Sequence, residues 1–142
     1  VLALGAAGLR AQNAAATAPA EKASPPMKQF VIIFRQGPKQ LTEAELRLRT
    51  AETRAWAQHQ NAAGHKLDPH ILDPEGLWIG PDGDSGPVAA TSAGAITALL
   101  FLDAHDLAQA VEVAKAHPGL KYGATVEVRP WAPPAPPPPA QR

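Results

Sequence analysis

The stretch "QFVIIFR", Gln29–Arg35, decides the fold. It is an unbroken run of apolar and β-branched side chains between polar ends, the pattern of a strand covered on both faces. "QGPKQ" then turns the chain. Thr42 and Glu45 follow at the T-x-x-E spacing of a capping box, so a helix begins there. Leu41, Leu48, Ala51, Ala55 and Ala62 recur near helical spacing with Trp56 beside them. That stripe predicts the inner face of the helix. The helix is expected to reach about Ala63, with Gly64 just past its C-terminal cap.

Downstream, "HKLDPHILD" reads as a short strand. Its Pro69 has no N–H to give a ladder, which places the strand at an edge. "PEGLWIGPDGDSGP" holds a short strand at Leu77–Ile79 and then a turn-rich loop. "AITALLFLD", Ala95–Asp103, is a second doubly apolar strand. Asp103 is read as the cap of a second helix running to about Ala116, with Leu107, Ala110, Val111 and Ala114 inward. "ATVEVRPW" alternates as a last strand: Val126 and Val128 face one way, Thr125, Glu127 and Arg129 the other. The order β-α-β-(β)-β-α-β predicts a ferredoxin-like α+β fold, an antiparallel sheet with two helices on one face. Two strands apolar on both sides leave a second face in need of cover. A second copy of the same sheet supplies it, so a homodimer is expected.

Composition narrows the rest. The chain has 142 residues, enough for one domain with a core. Its 13 basic and 13 acidic residues balance, so no electrostatic basis exists for a nucleic-acid partner. Without cysteine, disulfides, thiolate catalysis and cysteine zinc sites are excluded. No run approaches the roughly 20 apolar residues of a membrane span. "VLALGAAGLRAQ" resembles the end of a secretory signal with a cleavage after Ala11, which implies a periplasmic or secreted protein. The rival reading starts the protein at Met27 and makes it cytoplasmic. Residues 1–26 are then a signal-like segment and a linker, 27–131 the domain, and 132–142 a proline-rich tail expected to be extended or disordered.

The segments "MKQFVIIFR", "RAWAQHQNAAG" and "FLDAHDLAQAVEVAKAHPGLKYGATVEVRPW" resemble the YCII-related family, in particular its DGPF branch. The resemblance covers about Met27 to Trp131. It implies a dimeric α+β barrel, in which two ferredoxin-like sheets face each other. The family's chemistry-bearing motifs are not all present. Where DGPF members carry Asp-Gly-Pro-Phe and then a Glu, this chain has "DSGPV", Asp84–Val88, and "AATSAGA" without an acid. Where other members carry a first-helix His, proposed to pair with an Asp, this chain has Thr53.

Candidate site residues follow from chemical type. Asp68 and His70 stand at i, i+2 on one strand face, where a carboxylate would orient the imidazole as an acid–base pair. The simpler reading is an exposed edge strand beside a proline. His59 and His65 straddle a helix end and should diverge, so no metal set is assembled. Arg35 ends an apolar strand, and its guanidinium needs a partner or an anion. With Glu127 and Arg129 turned the same way and Trp56 as a wall, it would make a ligand-binding pocket; the alternative is surface ion pairing. His105 and His117, at the two ends of the second helix, are read as solvated. "GPDGDSG" lacks phosphate-loop spacing. No cofactor is implied. The expected function is a small-molecule-binding or accessory module. The alternative is a cofactor-independent lyase, isomerase or monooxygenase acting on a small acid inside the barrel, a reading that rests on fold analogy.

Overall fold

The computed structural model describes residues 25–140. The signal-like segment and most of the expected linker lie outside them. Nine elements follow in order: β1 (Lys28–Arg35), α1 (Glu43–Ala62), β2 (Asp68–Ile71), β3 (Leu77–Ile79), β4 (Ser85–Pro87), β5 (Ile96–Ala104), α2 (Leu107–Lys115), the 3-10 helix η1 (Pro118–Tyr122) and β6 (Thr125–Pro130). β1, β2, β5 and β6 form one antiparallel sheet in the order β2-β5-β1-β6. This is the ferredoxin-like α+β arrangement, with β3 and β4 added as a small separate hairpin. Pro69 sits in the edge strand β2, where its missing N–H costs no ladder bond.

The core lies on one face of this sheet. Phe30, Ile32 and Phe34 of β1 alternate inward beside Leu100, Leu102 and Ala104 of β5. Ala110, Val113 and Ala114 of α2 close over them, and Val126 and Val128 flank them from β6. Ile32 and Leu102 are fully buried, as the central positions of the two central strands require. On the other face, register places Val31, Ile33, Leu99 and Phe101 at the centre, with Asp68, His70, Glu127 and Arg129 toward the edges. Val31 is buried on that face without any second chain. Its ladder neighbours are Phe101 and Arg129, and the Trp131 ring meets Phe101 edge-on at 5.0 Å.

α1 begins as its cap predicts. Glu45 donates its N–H to the Thr42 hydroxyl, and the Glu45 carboxylate accepts from the Thr42 N–H at 2.8 Å. Lys39 also bonds Glu45, and these two contacts hold its carboxyl below the usual range. The helix ends at Gly64, which takes the left-handed φ of +93° that a side chain disfavours. Of the expected inner stripe only Leu41, just ahead of the helix, faces a cavity. Leu48 is 53% exposed, and Ala51, Ala55 and Ala62 face solvent. The side turned to the body of the protein carries Arg49, Thr53, Trp56 and Gln60. α1 approaches η1 closely but stands off the sheet, with Trp56 bridging the gap to the core. An apolar stripe is therefore not what this helix needed on its inner side.

Two further expectations are corrected. β5 continues through Ala104, and the cap of α2 is Asp106, whose side chain accepts from the Gln109 N–H at 2.8 Å. Asp103 instead pairs across the sheet with Gln29. Leu107 consequently points outward, and Val113 takes the inward place. The turn-rich loop also holds a strand, β4, that pairs with β3. Trp78 packs over Gly86 there, where a Cβ would come within 2.9 Å of the indole nitrogen. Leu77 and Ile79 remain 68% and 77% exposed.

Candidate functional site

The space left because α1 stands off the sheet is a cavity of about 430 Å3, within the range of small-molecule sites. Phe34, Ala98 and Leu100 form its floor. Thr53, Trp56 and Ala57 of α1 form its roof. Leu67 and Pro69 close one side, and His117 with Gly119 and Tyr122 of η1 the other. Glu52 ties α1 to η1 across this end, accepting from Lys121 Nζ at 2.9 Å and from the Tyr122 hydroxyl at 3.1 Å. Those hydrogen bonds, Lys121 first, lower the Glu52 carboxyl pKa. Burial, and then the bond to Glu52, raise that of Tyr122.

His117 is the residue whose reading changes most. It is not solvated: its ring lies between Phe34 and Trp56, with both centroids at 4.6 Å. Its Nδ1 accepts the Gly119 N–H at 2.9 Å. That bond occupies the Nδ1 lone pair and leaves the proton of the neutral ring on Nε2. Burial, with a smaller contribution from the Arg49 charge, brings its pKa down to about 4. His117 is therefore a neutral N–H donor at pH 7. Gly119 makes the geometry possible, since a Cβ there would stand 2.9 Å from His117 Nδ1. The sequence signal was the "HPG" turn after α2, in which a His can cap the turn that follows.

The charged groups around the cavity are all cationic: Arg35, Lys39 and Arg49, with no Asp or Glu among its lining residues. Lys39 is bound to Glu45 at 2.8 Å, and Arg35 reaches Glu127 at 3.6 Å. Arg49 meets no carboxylate among the described residues. The Trp56 indole N–H is buried without an acceptor among them.

The six residues singled out by chemical type do not converge. Trp56 lines the cavity, and Arg35 borders both it and the opposite sheet face. Glu127 and Arg129 lie on that opposite face, bonded at 3.0 Å, so Arg35, Glu127 and Arg129 form one ionic string there. Asp68 and His70 pair at 2.9 Å, and register puts them on the same face near its other edge. Both are more than half exposed. Among the other histidines, His65 is buried and donates from Nδ1 to the Asp103 carbonyl at 2.8 Å, a structural clamp between the α1–β2 connection and β5. His105 donates to the Pro25 carbonyl at 2.8 Å. Among the described residues no group of three or more acidic or histidine side chains could hold a metal ion, and no helix is long and apolar enough to cross a membrane.

Set against known proteins, the chain matches no family model and no curated protein.

Proposed function

We propose that this chain is a small-molecule-binding domain of the YCII-related type, taking its ligand in the cavity between α1 and the sheet. One observation carries the reading: the cavity is apolar-walled and rich in donors, but its ionisable side chains include no base suited to neutral pH. His117 has its lone pair engaged, Thr53 stands where a family histidine is expected, and among the described residues no carboxylate lines the space. The support is chemical and geometric. The proposed domain works as a homodimer, sheet face to sheet face. Val31, Ile33, Leu99 and Phe101 supply the apolar centre of that face.

The binding reading is tested by nuclear magnetic resonance with a fragment library. Bound fragments should shift the resonances of Thr53, Trp56 and His117 together. Shifts confined to the opposite face would overturn it. The hydrogen-bonded Asp68–His70 pair favours a second reading, a cofactor-independent lyase or isomerase acting on a small acid between the two sheets. That reading requires deuterium uptake from heavy water into small oxo acids, abolished by His70→Ala.

A further inference from the structure

We propose that the cavity takes a small organic monocarboxylate, its carboxylate held by the Arg49 guanidinium and its apolar body lying against Phe34, Trp56 and Leu100. The proposal rests on the binding reading above and names the ligand class for that same site.

Charge comes first. Among the described residues three cations line the cavity and no Asp or Glu does, so its potential favours a negative ligand. Two of the cations are already committed, Lys39 to Glu45 and Arg35 to Glu127. Arg49 is the one that meets no carboxylate among the described residues, and it is half-buried on the cavity side of α1. A guanidinium in that position offers a planar fork of donors matched to the two oxygens of a carboxylate. A single anionic end suffices, because only one cation is uncommitted.

The walls set the rest of the molecule. Floor and roof are aromatic and aliphatic, and 430 Å3 accommodates a ring or a branched chain. A neutral donor faces this body. His117 Nε2 carries its proton and has no protein acceptor among the described residues. The His117 Nε2–H is left without an acceptor, so a ligand oxygen beside it gains a hydrogen bond that the empty cavity does not supply.

The experiment measures matched pairs by calorimetry on the full chain: phenylacetate against phenylacetamide, and isovalerate against isovaleramide. Each carboxylate should bind at least about tenfold more tightly than its amide, and Arg49→Gln should erase that preference. The carboxylate affinity should also fall as salt is raised while the amide affinity holds, a reading that needs no variant. Equal affinities within each pair would overturn the anion and leave the binding reading standing. A preference that survives Arg49→Gln would overturn the placement at Arg49. Absence of any Trp56 indole shift with all four probes would remove the binding reading and this inference with it.

Discussion

His117 accepts a hydrogen bond from the Gly119 N–H at 2.9 Å while its ring sits between Phe34 and Trp56. Protonation of Nδ1 would break that bond and place a charge among apolar rings. The folded chain thus holds His117 neutral down to about pH 4, whereas an unfolded chain protonates it near pH 6.5. Between those values the unfolded state binds more protons, so stability rises with pH. The contribution is complete above about pH 6.5 and is lost as pH falls toward 4. The melting temperature should decline from pH 7 to pH 5 and decline less in His117→Gln. Equal slopes in the two proteins would refute the assignment.

The two fully buried residues of the central strands mark where stability resides. Ile32→Ala and Leu102→Ala should each cost about 2–5 kcal/mol in chemical denaturation. Leu48→Ala, on the outward side of α1, should cost less than about 0.5 kcal/mol. A large loss at Leu48 would show that the outer side of α1 is covered.

Gly37 is held against Gly123, whose carbonyl oxygen would lie 2.2 Å from any Cβ added at Gly37. The obstacle is backbone, which cannot swing aside as a side chain can. Gly37→Ala should destabilise by about 1–3 kcal/mol. A melting temperature like that of the unmodified chain would mean that the two loops are not in contact in solution.

The α1 cap has a smaller effect. Thr42→Ala removes one half of the reciprocal pair with Glu45 and should cost about 1 kcal/mol. Thr42→Ser should restore most of it, and failure of that rescue would assign the loss to something other than the cap.

Sedimentation at micromolar concentration examines the proposed sheet-to-sheet dimer. Phe101→Glu puts a charge at the centre of the outer face and should shift the chain to monomer with little change in helical content. A monomeric unmodified chain would end the dimer proposal.

The fold could be read in the sequence where one physical demand acted alone. Gln29–Arg35 read as a strand because its five consecutive apolar, largely β-branched or aromatic side chains suit a doubly covered strand, and Thr42 with Glu45 marked a helix start to the residue. α1 was harder, because two demands compete on it. Leu48, Ala51 and Ala55 follow helical spacing, yet the helix turns Arg49, Thr53 and Trp56 inward. Apolar periodicity reports the inner side of a helix only when that side meets a core, and this one meets a cavity. His117 escaped for a related reason. Its burial depends on Phe34 and Trp56, both more than fifty residues away in the chain, and no local pattern carries that information. The Asp68–His70 contact was local, at i, i+2 on a strand, and so could be anticipated.

The stand-off of α1 from the sheet also separates two kinds of inheritance. Most of the residues that fix the architecture sit in β1, β5 and α2, with Trp56 reaching in from α1. Under the proposed function, much of what would meet the ligand lies on α1 and at the cap of η1, at Arg49, Thr53 and His117, outside that cluster. Descendants of this chain could therefore exchange Arg49 or Thr53 and acquire a different ligand while keeping the same scaffold. A lineage built this way diversifies along one helix face, and two members could share every strand yet have no ligand in common.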